Sequence, residues 1–419
     1  MKNKYFFLVV ALLLIVLIPV IMAESDNLEN NAVIQNSPSK IAFASKRDGN
    51  FEIYTINDNG NDLKRLTNSK EDDLKPQWSP DGTKILFFSK KGKKYSLRVM
   101  NKDGSEQKKL ANECNDQYLP SWSPDGTKIL FVAKVKSKNK IFTIDPDGNN
   151  LTRLTEGDRE GLYPSWSPDG LKILYIEKYQ KEIFIYVMNL DGTGRVKLIR
   201  EKGTYLAPAW SPDGRKIAYI TTKQSFRGTY YQLYVMNSDG SDNYLLADGS
   251  RKVEDIDYLD EFFWSPDGTK IAFTKVADIE AHYDDSGSVT FTYKYGTYIV
   301  NSDGNDHDDL LTKIGAEPLS PNWSLDSSKL ASVYSSGLMV YNTKSKVDEE
   351  IQVDSSIPIS PVKWSSDGKK LVFAGKNHSF QKAGLYLVTL NGKVTKLTEA
   401  NDYDPVWAPV MKLEVESLN

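Results

Sequence analysis

The chain is 419 residues long, 40% apolar and 26% charged, with a formal net charge of −3. That is the make-up of a soluble globular protein, and it supplies no overall basic field to hold a phosphate backbone, so nucleic acid is not an expected partner. The single cysteine, Cys114, excludes an internal disulfide and a multi-cysteine zinc site; its simplest reading is a free thiol in a loop.

Lys2 and Lys4 precede an unbroken apolar run from Phe6 to Ala23, and the chain turns polar at Glu24. This pattern predicts an export signal, either cleaved after Ala23 or kept as an N-terminal membrane tether, with the remainder periplasmic, on the cell surface or secreted. A polar linker over 24–39 follows. Short alternating segments then begin at Ile41–Ala44, Glu52–Ile56 and Leu63–Thr67, a unit of three strands with no tryptophan.

From there the tryptophans set the order. Trp78, Trp122, Trp166, Trp210, Trp264, Trp323, Trp364 and Trp407 stand in one local context, separated by 44, 44, 44, 54, 59, 41 and 43 residues. That period belongs to a four-stranded propeller blade, with two enlarged units. Five of the tryptophans open a full Trp-Ser-Pro-Asp-Gly; the motif is incomplete at Trp323 and Trp364, and only Ala408 and Pro409 follow Trp407. In this turn Pro fixes φ, Asp bonds the amides ahead of it, and Gly takes the positive φ that returns the chain into the next strand. Each unit continues with a strand such as Lys84–Phe88, another such as Ile185–Asn189, an Asp-Gly turn and a short third strand. The last unit, Tyr403–Trp407, is a Trp strand without followers, which complements the Trp-less beginning. The expected fold is therefore all-β: a closed β-propeller of eight four-stranded blades over 40–408, one of them a composite of the two chain ends, followed by a tail over 409–419.

The Trp-Ser-Pro-Asp-Gly-Thr-Lys-Ile stretch at Trp122 to Ile129 resembles the WD40-like repeat of the TolB C-terminal propeller, over roughly residues 40 to 408. The resemblance implies that the Trp strand is innermost and that the propeller serves contacts with proteins in the cell envelope. TolB itself has an additional N-terminal α/β domain and six blades, so only the fold and the general role of a scaffold carry over. Similar repeats occur in dipeptidyl peptidase IV-like enzymes, but no Gly-x-Ser-x-Gly elbow occurs here. Oligogalacturonate lyase also resembles the chain and implies a metal-binding histidine cluster in the channel. The only histidines are His282, His307 and His378, none on a Trp strand.

The second turns, such as Asp145-Pro146-Asp147-Gly148-Asn149, have the wrong spacing for an EF-hand and read as hairpin turns. Lys84, Lys128 and Lys270, at one offset after the first turn, read as solvated strand starts. Both short turns lie on one side of a blade, so variation collects on the other, where 247–263 and 276–296 are enlarged. Between Asp248 and Asp285 stand eleven acidic residues against four basic ones. Carboxylates also sit near the starts of several Trp strands, among them Asp72, Asp73, Asp116, Glu160, Asp402 and Asp404. These patterns predict an acidic channel mouth contributed by Asp255, Asp257, Asp260, Glu261, Asp284 and Asp285, able to attract Ca²⁺ or a basic partner. No other cofactor is expected. The functional expectation is a monomeric, non-catalytic scaffold for an envelope or surface protein or a cell-wall polymer, with a metal-dependent polysaccharide lyase as the rival.

Overall fold

The structure is a computed structural model and describes residues 39–409 except 202, 226–227, 252–261, 284–288, 306–308, 311–318, 335–336, 354–361 and 376–382. The apolar segment 6–23, the linker up to 38 and the tail from 410 lie outside the described residues. Among the described residues every regular element is a strand, and no helix is long and apolar enough to cross a membrane.

The strands fall into units of four, hydrogen-bonded in chain order from a Trp-bearing inner strand outward. The second unit is typical: Asp72–Trp78, Lys84–Lys91, Lys94–Asn101 and Lys108–Cys114. The first unit is composite. Lys40–Ser45, Glu52–Asn57 and Lys64–Arg65 supply three strands, and Asp402–Trp407 from the far end of the chain pairs with Lys40–Ser45, with Ile41 opposite Trp407 and Ser45 opposite Asp402. The expected complementarity of the two ends is thus realised as backbone pairing.

The third unit departs from the pattern. Its inner strand is only Ser121–Trp122, which leaves part of Ile129–Val135 uncovered, and the end of the second unit's outer strand fills the gap by pairing Cys114 with Ala133. Two units thereby fuse into one eight-stranded sheet. Cys114 is accordingly a buried strand residue and not a loop thiol, and burial pushes its thiol up to about 12.

Alternation places one face of each sheet against the unit before and the other against the unit after. Leu86, Phe88, Leu97 and Val99 of the second unit pack with Ile129 and Phe131 of the third. The composite unit is covered on both sides: Ala42, Ala44 and Ile53 meet Ile85, Phe87 and Met100 of the second unit, whereas Ile41, Phe43 and Tyr54 meet Val372, Ala374 and Leu385 of the eighth. In six units the second and third strands present a stacked aromatic pair, as Tyr175 with Tyr186 and Phe373 with Tyr386, with centroids 5.3–5.9 Å apart.

The first turn is tied together by its serine. Ser79 Oγ donates to Asp81 Oδ1 at 2.5 Å and accepts from Lys84 N at 2.9 Å, while Asp81 also accepts from Thr83 N at 3.0 Å. The same arrangement recurs at Ser167, Ser211, Ser265 and Ser324. Gly126 lies at φ +71°, and a Cβ there would sit 3.6 Å from Pro80 of the previous turn. Successive turns therefore stack, and Pro409 occupies the corresponding place against Gly82. The lysines that follow the turn are not simply solvated: Lys84 Nζ reaches Asn101 at 3.0 Å, Lys128 reaches Asp145 at 2.8 Å and Lys270 reaches Asn301 at 2.6 Å. Each clips the first short turn to the second, which places both on one side of the unit.

On the opposite side the sixth unit is enlarged. Its strands Lys270–Tyr283 and Val289–Asn301 have 14 and 13 residues, against eight and eight in the second unit, and stay paired as far as Tyr283 opposite Val289. The enlargement expected over 276–296 is in large part a long hairpin, with a register shift between Val276 and Asp278.

Candidate binding surface around the inner strands

Each inner strand is the edge of its sheet, and five of the eight tryptophans join one inner strand to the next, while the buried indole N–H groups of Trp122, Trp210 and Trp264 make no hydrogen bond among the described residues. Trp78 Nε1 donates to Val406 O, Trp166 to Ser121 O, Trp323 to Phe263 O, Trp364 to Asn322 O and Trp407 to Lys363 O, at 2.8–3.4 Å. In each of these five the acceptor is the residue immediately before a tryptophan of a neighbouring inner strand. The indole lies in the seam between units, and its N–H bridges the two inner backbones. Trp323 and Trp364 are buried and the other six tryptophans half-buried.

Three residues before the tryptophan the inner strand bulges. Lys75, Tyr163, Ala207 and Asp404 all adopt left-handed backbone conformations, with φ between 46° and 54°, at register shifts against the neighbouring strand. The next residue is Pro76, Pro164, Pro208 or Pro405, which has no N–H to lose where the ladder is broken. These prolines two residues before tryptophan were the available sequence signal for the bulges. At the bulge Tyr163 is 44% exposed and edge-on to Tyr118 at 4.9 Å; Leu119, at the same offset before Trp122 but outside a bulge, is 55% exposed.

The carboxylates near the strand starts divide. Asp73 and Asp402 are buried and structural, so they do not belong to an acidic mouth. Asp73 accepts from Ser89 directly across the ladder, and Asp402 takes Arg47 at 3.0 and 3.2 Å and also Thr398. Burial raises Asp73 to about 6, against the hydroxyls and Arg98 that favour its charge, and it raises Asp402 as well. In the fourth unit the same place in the ladder is inverted: Gly161 faces Glu177, and the buried carboxylate on the second strand is held by Arg159 and Arg195. The remaining rim is of mixed sign. Lys75 Nζ donates to Asp116 O at 2.9 Å, and Glu160 accepts from Asn139 and lies 3.6 Å from Lys138.

Asp255, Asp257, Asp260, Glu261, Asp284 and Asp285, together with His307 and His378, lie outside the described residues. His282 is exposed on the long hairpin. Among the described residues no three of His, Cys, Asp and Glu gather as a metal site. The second turns use their aspartates internally; Asp103, for example, accepts from Ser105 N and Oγ, which hold its carboxyl below the usual range. A cleft of about 490 Å³ on the short-turn side, between the second and third units, is lined by Lys84, Lys108, Asp145 and Asp147. Most of its charges are engaged, Lys84 with Asn101, Lys108 with the Asp147 carbonyl and Asp145 with Lys128.

The TolB beta propeller domain matches residues 31–214. The fold is similar to oligogalacturonate lyase in complex with manganese (TM-score 0.55, 14% identity, covering 84% of this chain and 98% of that one). It is also similar to the β-propeller domain of the Trilobed protease from Pyrococcus furiosus, described as having an open velcro topology (TM-score 0.50, 13% identity, 79% and 99%). TolB from Acinetobacter baumannii matches at 20% identity with a TM-score of 0.40, and the chain, 64% of which is covered, spans 62% of that protein's length. The Ser-x-Asp turn recurs beyond the matched stretch as far as Trp364, so the described chain is an all-β array of similar four-stranded units whose residues 31–214 match the TolB beta propeller domain.

Proposed function

We propose that this protein is an exported, non-catalytic scaffold, an eight-bladed propeller closed through its composite unit, that binds a protein or polymer of the cell envelope or surface. The observation that carries the reading is the division of labour between the two sides. On the short-turn side the recurring polar groups are spent on holding the turns and clipping them to one another. On the other side, hairpins and connections differ in length and charge from unit to unit, as binding loops on a constant frame do. Within this reading the six carboxylates Asp255, Asp257, Asp260, Glu261, Asp284 and Asp285 attract Ca²⁺ or a basic partner surface.

The rival is a metal-dependent polysaccharide lyase, supported by likeness of fold alone. The discriminating experiment is pull-down from a membrane and cell-wall fraction with Ca²⁺ or EDTA, using the native chain and a variant with all six carboxylates changed to Asn or Gln. Loss of capture and of a Ca²⁺-induced rise in Tm in the variant supports the reading. Unchanged capture moves the site elsewhere, and metal-dependent cleavage of an acidic polysaccharide establishes the rival.

A further inference from the structure

On the side opposite the short turns, the second and third strands of each unit are joined by a hairpin. In three successive units this hairpin is a tight two-residue loop: Gly92-Lys93 between the paired Lys91 and Lys94, Lys136-Ser137 between Val135 and Lys138, and Gln180-Lys181 between Tyr179 and Glu182. Every loop contains one lysine, and more flank it. Four lysines stand at 90–94, three at 134–138 and two at 178–181, with no acidic residue in those three stretches. Lys91, Lys93, Lys94, Lys134, Lys136, Lys138, Lys178 and Lys181 are exposed.

Two further features set this array apart from an ordinary charged surface. Lys136 holds a left-handed conformation, φ 48°, where asparagine or glycine is favoured, so the loop keeps lysine against local preference. The first two hairpins are also drawn together by the Cys114–Ala133 pairing that fuses their units. Neutralisation is partial. Lys94 pairs with Glu113 at 2.8 Å and Lys138 with Glu160 at 3.6 Å, while Lys91, Lys93, Lys136, Lys178 and Lys181 make no ion pair among the described residues. A chain with a net charge of −3 thus concentrates positive charge along one arc.

We infer that this arc, Lys91, Lys93, Lys136, Lys178 and Lys181 with Tyr179 among them, binds a linear anionic glycan whose carboxylate or phosphate groups recur along the chain. The inference rests on the scaffold reading and names a partner for it. Ammonium groups on flexible stems meet spaced anions as point charges without the fork geometry of arginine, and affinity accumulates over many weak contacts. Tyr179, 40% exposed, has the Arg159 guanidinium over its ring at 5.1 Å, which adds a further cation to the arc and leaves the exposed part of the ring beside those charges. Anionic lipid is the alternative that the vesicle arm of the test excludes.

The test is binding of fluorescent alginate (carboxylate) and phosphorylated dextran (phosphate) to the full chain at 50 and 200 mM salt, with double-stranded DNA and phosphatidylglycerol vesicles alongside. Saturable binding to at least one glycan that weakens at least about tenfold over that salt range is expected, and the two glycans distinguish the anion. Lys93→Glu, Lys136→Glu, Lys178→Glu and Lys181→Glu together should weaken it about tenfold or more. The same charge change on the short-turn side, at Lys102, Lys344, Lys369 and Lys393, should weaken it less than about threefold; both variants should melt as the native chain does. Equal loss in both variants, no glycan binding, or tighter binding to DNA or vesicles overturns the inference. Shortening of the glycan instead of retention contradicts the scaffold reading itself.

Discussion

Ending the chain at Asn401 removes the inner strand of the composite unit, and the structure sets the size of the effect. The strand contributes four paired positions to Lys40–Ser45, the indole bond of Trp407 to Lys363 O, the acceptor for Trp78 and the Ala408 N–H bond to Lys40 O. At about 1 kcal/mol net per bond these contribute several kcal/mol, and partial burial of Val406 and Trp407 adds about 1–2 kcal/mol each. Loss of Asp402 also leaves Arg47, 18% exposed, without its carboxylate, at a further cost of about 1–3 kcal/mol. The total, on the order of 10 kcal/mol, is comparable with the whole stability of a typical domain. The truncated chain should therefore lose its cooperative thermal transition, followed by circular dichroism, and a synthetic 402–409 peptide should restore part of it. A truncated protein that melts within about 2 °C of the full chain would refute closure through this strand.

Trp166→Ala should cost about 3 kcal/mol, the lower end for a large aromatic, because the indole is half-buried and its N–H holds Ser121 O; denaturant unfolding that shows a loss well below 1 kcal/mol would mean the side chain is not part of the seam. Asp73 carries a pH signature. Its carboxyl rises from the ordinary value of 3.8 to about 6 in the fold, so the stability linked to its protonation is full below the lower value and lost as pH climbs through the upper one. Between pH 7 and pH 4 the native chain should gain about 2 kcal/mol from this group. Asp73→Asn should remove that part of the pH dependence, and superimposable profiles of Tm against pH for the two proteins would sink the assignment.

Much of the fold was legible in the residues. A tryptophan recurring with a Ser-Pro-Asp-Gly turn reports both the period and the strand order, because the turn's chemistry is local: Asp bonds amides two residues away and Gly supplies a conformation other residues resist. The complementary chain ends likewise announced their pairing. The proposed acidic site rests on composition alone, since a count of carboxylates does not say which face outward. Asp73 and Asp402 read like rim charges and are buried beside Ser89 and Arg47, partners that only the ladder register brings opposite them.

What the sequence determined by itself was the unit, an all-β repeat whose turns and strand period follow from short-range preferences. Tertiary structure alone decided what those units do to one another. It made Cys114 a seam residue by fusing two sheets, turned the lysines after each first turn into clips, and set three lysine hairpins on one side. The physical reason is range. Turn and strand preferences act within a few residues, whereas charge placement and burial depend on strands brought together from far along the chain, 355 positions apart for Arg47 and Asp402.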